Sequence, residues 1–102
     1  MEDYVIATNS DNRVEAFYID ENATVMHTWQ LNQANKTAWS APSPLFGTAP
    51  NSNGPLENAT RVEATTDRFG QIQVVAYTRE NKYFTCYQTP GYWNGWFEIT
   101  QQ

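Results

Sequence analysis

The residues of this chain best suited to chemistry are a single histidine, an arginine–glutamate pair and a set of large aromatics. His27 is the sole histidine. It can donate or accept a hydrogen bond near neutral pH, but it has no second imidazole with which to build a metal site. Arg13 and Glu15 stand two residues apart in a stretch of alternating character, which points both side chains the same way. They could grip adjacent hydroxyl groups as a fork, or equally form a surface ion pair worth under about 1 kcal/mol. The faces of Trp29, Trp39, Trp93, Trp96 and Tyr87 could stack on the apolar side of a sugar ring, or the same rings could fill packing between sheets. Trp93 and Trp96 flank Gly95 beside a turn, and are therefore expected to be more exposed than Trp29.

Other chemistries find little support. No GxSxG elbow, glycine-rich phosphate loop or HExxH motif occurs, and a serine triad would rest on His27 alone. Eleven acids offer no singled-out pair for glycoside hydrolysis. No catalytic residue, metal ligand or cofactor is assigned. The net charge of −5, with six scattered Lys and Arg, gives no basic stripe for nucleic acid. The opening residues lack a signal peptide's charged and apolar regions, and no stretch is long enough to insert in a membrane. A soluble protein is expected, cytoplasmic or released by a non-classical route. Cys86, the lone cysteine, excludes an intrachain disulfide and reads as a small core residue.

The elements that would position these residues form a repeat. Ala7–Gln30 overlays Thr65–Gln88 without a gap at a constant offset of 58, and beyond that the first copy carries four extra residues before Trp39 meets Trp93. Each copy parses into four short strands separated by polar turns. In the first these are Tyr4–Asn9, Arg13–Ile19, Thr24–Gln30 and a weak strand from Trp39 that Pro42 and Pro44 mark as an edge. In the second they are Arg61–Thr66, Ile72–Thr78, Lys82–Gln88 and Trp96–Thr100. Residues 1–45 form the first unit and 60–102 the second. The intervening 46–59 segment, rich in Pro, Gly, Asn and Ser, reads as a linker or a long surface loop and as the segment most prone to flex.

The runs SDNRVEAFYIDENATVMHTWQ with WSAP, and DRFGQIQVVAYTRENKYFTCYQ with WNGW, resemble the repeats of the bacterial PLL-like (tachylectin-like) lectins, which are β-propellers. Asn9, Asp11, Arg13, Glu15, Phe17, His27, Trp29, Gln30 and Trp39 match the repeat in the first copy. Asp67, Gly70, Ile72, Tyr87, Gln88, Trp93, Gly95 and Trp96 match it in the second. Pro42 stands where a second tryptophan belongs, and Gln71, Gln73 and Thr85 replace the Arg, Glu and His of the first copy.

The resemblance implies an all-β fold of two four-stranded antiparallel propeller blades per chain, completed by homo-oligomerisation. Fucose-binding lectins with a different repeat trimerise two-blade chains into six blades, so a trimer is favoured here, and symmetric closure of two-blade chains gives only even numbers. It also implies a multivalent lectin for glycans such as fucose, galactose-like or O-methylated sugars, bound between blades through Asn9, Arg13, Glu15, His27, Trp29, Trp39, Asp67, Tyr87, Trp93 and Trp96. Three readings compete with it: a non-catalytic structural or protein-interaction propeller, a fragment or engineered piece of a longer one, and a single eight-stranded sandwich or barrel.

Overall fold

Alternating apolar residues, bounded by turns at Asn, Asp and Gly, produce eight strands in the computed structural model, which describes residues 3–100. The strands are β1 Tyr4–Thr8, β2 Val14–Ile19, β3 Val25–Trp29, β4 Ser43–Pro44, β5 Ala59–Thr66, β6 Ile72–Thr78, β7 Tyr83–Thr89 and β8 Tyr92–Glu98. They form two separate four-stranded antiparallel sheets, β1-β2-β3-β4 and β5-β6-β7-β8, each running up and down in chain order. No helix occurs among the described residues.

The repeat holds to the level of single hydrogen bonds. Glu15 faces Trp29 in the first sheet where Gln73 faces Tyr87 in the second, and Gln30 bridges to Trp39 where Gln88 pairs with Trp93. The first turn of each copy is closed by the same bond, Asn9 N–H to Arg13 O at 2.8 Å and Asp67 N–H to Gln71 O at 2.9 Å. Both of these turns need a positive φ, which Asn12 (71°) and Gly70 (79°) supply. Each copy also uses one glutamine side chain to hold the first amide of its second strand. Gln30 Oε1 accepts from Val14 N–H and Gln88 Oε1 from Ile72 N–H, both at 2.8 Å.

The fourth strands diverge from expectation. In the first copy Trp39 makes only an isolated bridge, and the ladder resumes as the two-residue β4, because Pro42 and Pro44 have no N–H to donate. In the second copy β8 starts at Tyr92 rather than Trp96, so Trp93 lies within the strand. Gly95 sits at a bulge opposite Thr85 and Cys86 with φ at 145°. A Cβ there would approach Thr85 O to 2.7 Å, so the position requires glycine.

The 46–59 segment, expected to be a linker or a long surface loop, is a loop tied along the free edge of β8. Thr48 and Ala49 donate backbone N–H groups to Trp93 O, Asn53 N–H donates to Gly95 O at 2.7 Å, and Asn53 Nδ2 donates to Trp96 O at 2.7 Å. Exposed edge amides and carbonyls are thereby satisfied within the chain. Leu45 and Leu56, both buried, pin the ends of the segment.

The sheets stack face to face around one core, and they present opposite faces of the repeat to each other. The first sheet contributes Ala7, Phe17 and Val25, and the second contributes Val62, Ile72, Val74 and Cys86. Equivalent residues therefore meet opposite environments. Phe17 is 0% exposed while Val75, its counterpart, is 36% exposed, and Val62 is 8% exposed while Tyr4 is 55% exposed. Each sheet is left with one open face, carrying Tyr4 and Ile6 on the first and Val75 and Tyr83 on the second. At the inner strands the Thr66 hydroxyl clasps Thr8, accepting from its N–H at 3.0 Å and donating to its carbonyl at 2.7 Å.

Candidate ligand cleft between the two sheets

Antiparallel pairing of β2 with β3 sets Glu15 beside Trp29 and Phe17 beside His27, all four on the face turned toward the second sheet. At the end of the stack nearer the first turns, β7 and β8 bring Gln88 and Trp93 against this face. The result is a cavity of about 400 Å³ lined by Asn9, Arg13, Glu15, His27, Trp29 and Trp93, with β4, Phe46, Thr48 and Gln88 completing the wall. Both sheets are thus needed to form it.

A chain of hydrogen bonds crosses from one sheet to the other. His27 Nδ1 donates to Glu15 Oε2 at 2.6 Å, Asn9 Nδ2 donates to Glu15 Oε1 at 3.1 Å, and Gln88 Nε2 donates to Asn9 Oδ1 at 2.9 Å. Glu15 and His27 are both buried, and buried polar groups are tolerated where partners replace lost water. Among the described residues no buried side-chain nitrogen or oxygen lacks a partner. The His27 ring lies 4.8 Å from Trp29, while Trp93 stands edge-on to it at 6.0 Å and edge-on to Phe17 at 6.1 Å. These aromatic contacts fix the walls of the cleft.

Arg13 and Glu15 both border this cavity, but the ion pair that could have joined them does not form. Arg13 Nε donates instead to Asp11 Oδ2 at 2.7 Å and Arg13 Nη1 to Gln30 O at 3.1 Å, while Glu15 takes His27 as its partner. The Arg13 hydrogen bond holds the Asp11 carboxyl below its ordinary value of 3.8.

Of the ten residues expected to bind ligand, six meet in this cleft and four lie elsewhere. Trp96, expected to be exposed, is 3% exposed and donates its indole N–H to Leu45 O at 2.8 Å, so it belongs to the core. Trp39 stands outside the cleft with its indole N–H on Lys36 O. The Asp67 carboxylate accepts from Phe69 and Gln71 backbone N–H groups, and these bonds lower its pKa. Tyr87 packs against Phe97, on the second sheet's open side. Gln88, Thr48 and Phe46 were not singled out as site residues. Gln88 had a signal in its repeat match to Gln30, whereas nothing in the 46–59 composition marked Thr48 or Phe46.

Cys86 is fully buried, and burial pushes its thiol pKa up to about 12. No cluster of three His, Cys, Asp or Glu side chains occurs among the described residues, and no helix is long and apolar enough to cross a membrane. No protein-family model matches the chain, and no curated protein matches it.

Proposed function

We propose that this chain is a non-catalytic, multivalent carbohydrate-binding protein of the PLL-like lectin type, taking fucose, galactose-like or O-methylated sugars in the cleft between its sheets. The observation that carries the reading is the convergence of Asn9, Arg13, Glu15, His27, Trp29 and Trp93 on one cavity. Trp29 and Trp93 supply apolar walls for the C–H face of a sugar ring. Glu15 and Asn9 supply hydrogen-bonding groups for hydroxyls, and with Nδ1 held by Glu15, Nε2 is the His27 nitrogen left to a ligand. A neutral ligand suits a cleft in which each charge already has a partner.

The same proposal extends to assembly. The two sheets of one chain stack through opposite faces of the repeat, so the open Tyr4–Ile6 face of one copy matches in kind the surface that already covers Phe17. It could cover the Val75–Tyr83 face of the next copy, with Thr8 repeating on Thr66 the clasp that Thr66 makes on Thr8. Such head-to-tail contact closes into a ring, and three chains would give a six-bladed propeller. Several weak sites on one ring then act together.

A glycan array followed by calorimetry with fucose and O-methylated sugars tests the site, and sedimentation at micromolar concentration tests the ring. Binding is expected, falling roughly tenfold or more in Trp29→Leu and in Glu15→Gln proteins that retain their circular dichroism. Silence across the array would leave a scaffold or protein-interaction role, and a stable monomer would remove the ring.

A further inference from the structure

The cleft continues past Trp93. Asn9, Arg13, Gln88 and Trp93 also border a second cavity, of about 560 Å³, that opens among three turns. These turns meet because β1–β2, β5–β6 and β7–β8 all reverse direction at the same end of the sheets. Two aromatics line this space and not the first, Phe69 at 70% exposed and Tyr92 at 51% exposed. Phe69 occupies the repeat position that Asp11 holds in the first copy, so an apolar ring stands at a turn tip where the other copy has a carboxylate. The Arg68 guanidinium sits 5.0 Å from the centre of that ring and steadies it. Gln71 adds a polar group to the lining.

An exposed aromatic pair bordering a space that shares a wall with a polar cleft is poorly explained by folding, because neither ring is buried by its own chain. The volume lies within the roughly 300–1,000 Å³ usual for small-molecule sites. We propose that this cup is a second subsite, which takes the next pyranose ring of an oligosaccharide whose first ring occupies the Glu15–His27 cleft. Phe69 and Tyr92 would meet its C–H face, while Asn9 and Gln71 would meet its hydroxyls. The ligand class is then a disaccharide or longer chain, not a free monosaccharide. This inference rests on the carbohydrate reading of the first cleft.

Calorimetry with L-fucose against fucosyl-α1,2-galactose, and with galactose against lactose, tests it in the full chain. At least one disaccharide is expected to bind about tenfold tighter than its monosaccharide, a gain of the size expected from one or two aromatic contacts. Phe69→Ala and Tyr92→Ala should each cut that gain and leave monosaccharide affinity unchanged, since neither side chain lines the first cleft. Equal affinity for one and two rings would overturn the subsite while leaving the first cleft standing, and so would a gain untouched by both substitutions. Failure of all four sugars to bind, together with silence across the glycan array, would overturn both readings.

Discussion

Opposite the pairing register shared by both sheets, the first carries Glu15 and His27 and the second carries Gln73 and Thr85. The turns of the first three strands and the glutamine that holds the second strand are the same in both, and the fourth strands differ. Backbone geometry of the first three strands is therefore independent of which polar pair they display. What separates the copies is their surroundings. Glu15 and His27 lie under the second sheet, where Asn9 and Gln88 complete their hydrogen bonds, whereas the equivalent face of the second sheet is open. A carboxylate and an imidazole stand at the copy where burial gives them fixed geometry.

The largest expected break in the comparison is at Phe17 and Val75. Phe17→Ala should cost about 3–5 kcal/mol through the cavity it leaves, while Val75→Ala should change the stability of a single chain by less than about 1 kcal/mol. Urea denaturation of the two variants reads the difference directly. If sheet position alone governed stability, the two would cost the same. A concentration-dependent loss for Val75→Ala would instead show that another copy covers it.

A smaller contrast is expected at the fourth strand. Gly95→Ala must place a methyl group 2.7 Å from Thr85 O on a backbone with φ at 145°, and a loss of about 2–3 kcal/mol is expected. Ala41, which stands at the matching position of the first copy, has no such φ, and Ala41→Gly should cost no more than about 1 kcal/mol. Thermal melts of both proteins check this pair.

The smallest effect should be nearly equal in the two halves. Asp11 is held below its ordinary pKa first by the Arg13 side chain, and Asp67 first by the Gln71 backbone N–H. A carboxyl whose folded pKa is depressed stabilises the fold above its unfolded value and loses that contribution as pH falls through the folded one. Melting temperature should therefore decline as pH drops below 3.8, and Asp11→Asn and Asp67→Asn should each flatten part of that decline. A decline unaltered by both substitutions would assign it to other carboxyls.

Much of the architecture was legible because it is local. The offset of 58, the turn residues and period-2 alternation specify strands that pair with sequence neighbours, and such pairing needs no knowledge of the distant chain. The six residues that meet in the cleft were named from repeat position and residue type. Trp96 was misplaced because nothing nearby in sequence reveals that its partner is the Leu45 carbonyl, 51 residues away. The reading of Arg13 and Glu15 as an ion pair failed for a related reason. Side chains on one face can share a partner or ignore each other, and here Asp11 lay within closer reach of Arg13.

By itself, then, the sequence determined two copies of a four-stranded unit and the turns of their first three strands, since alternation and positive-φ residues act over a few positions. Only the tertiary structure decided which face each copy buries, how the 46–59 segment seals β8, and that Asn9 meets Gln88 across a separation of 79 residues. Those outcomes depend on how two sheets stack, and stacking is set by shape and burial summed over the whole core, a sum that no short stretch of residues contains.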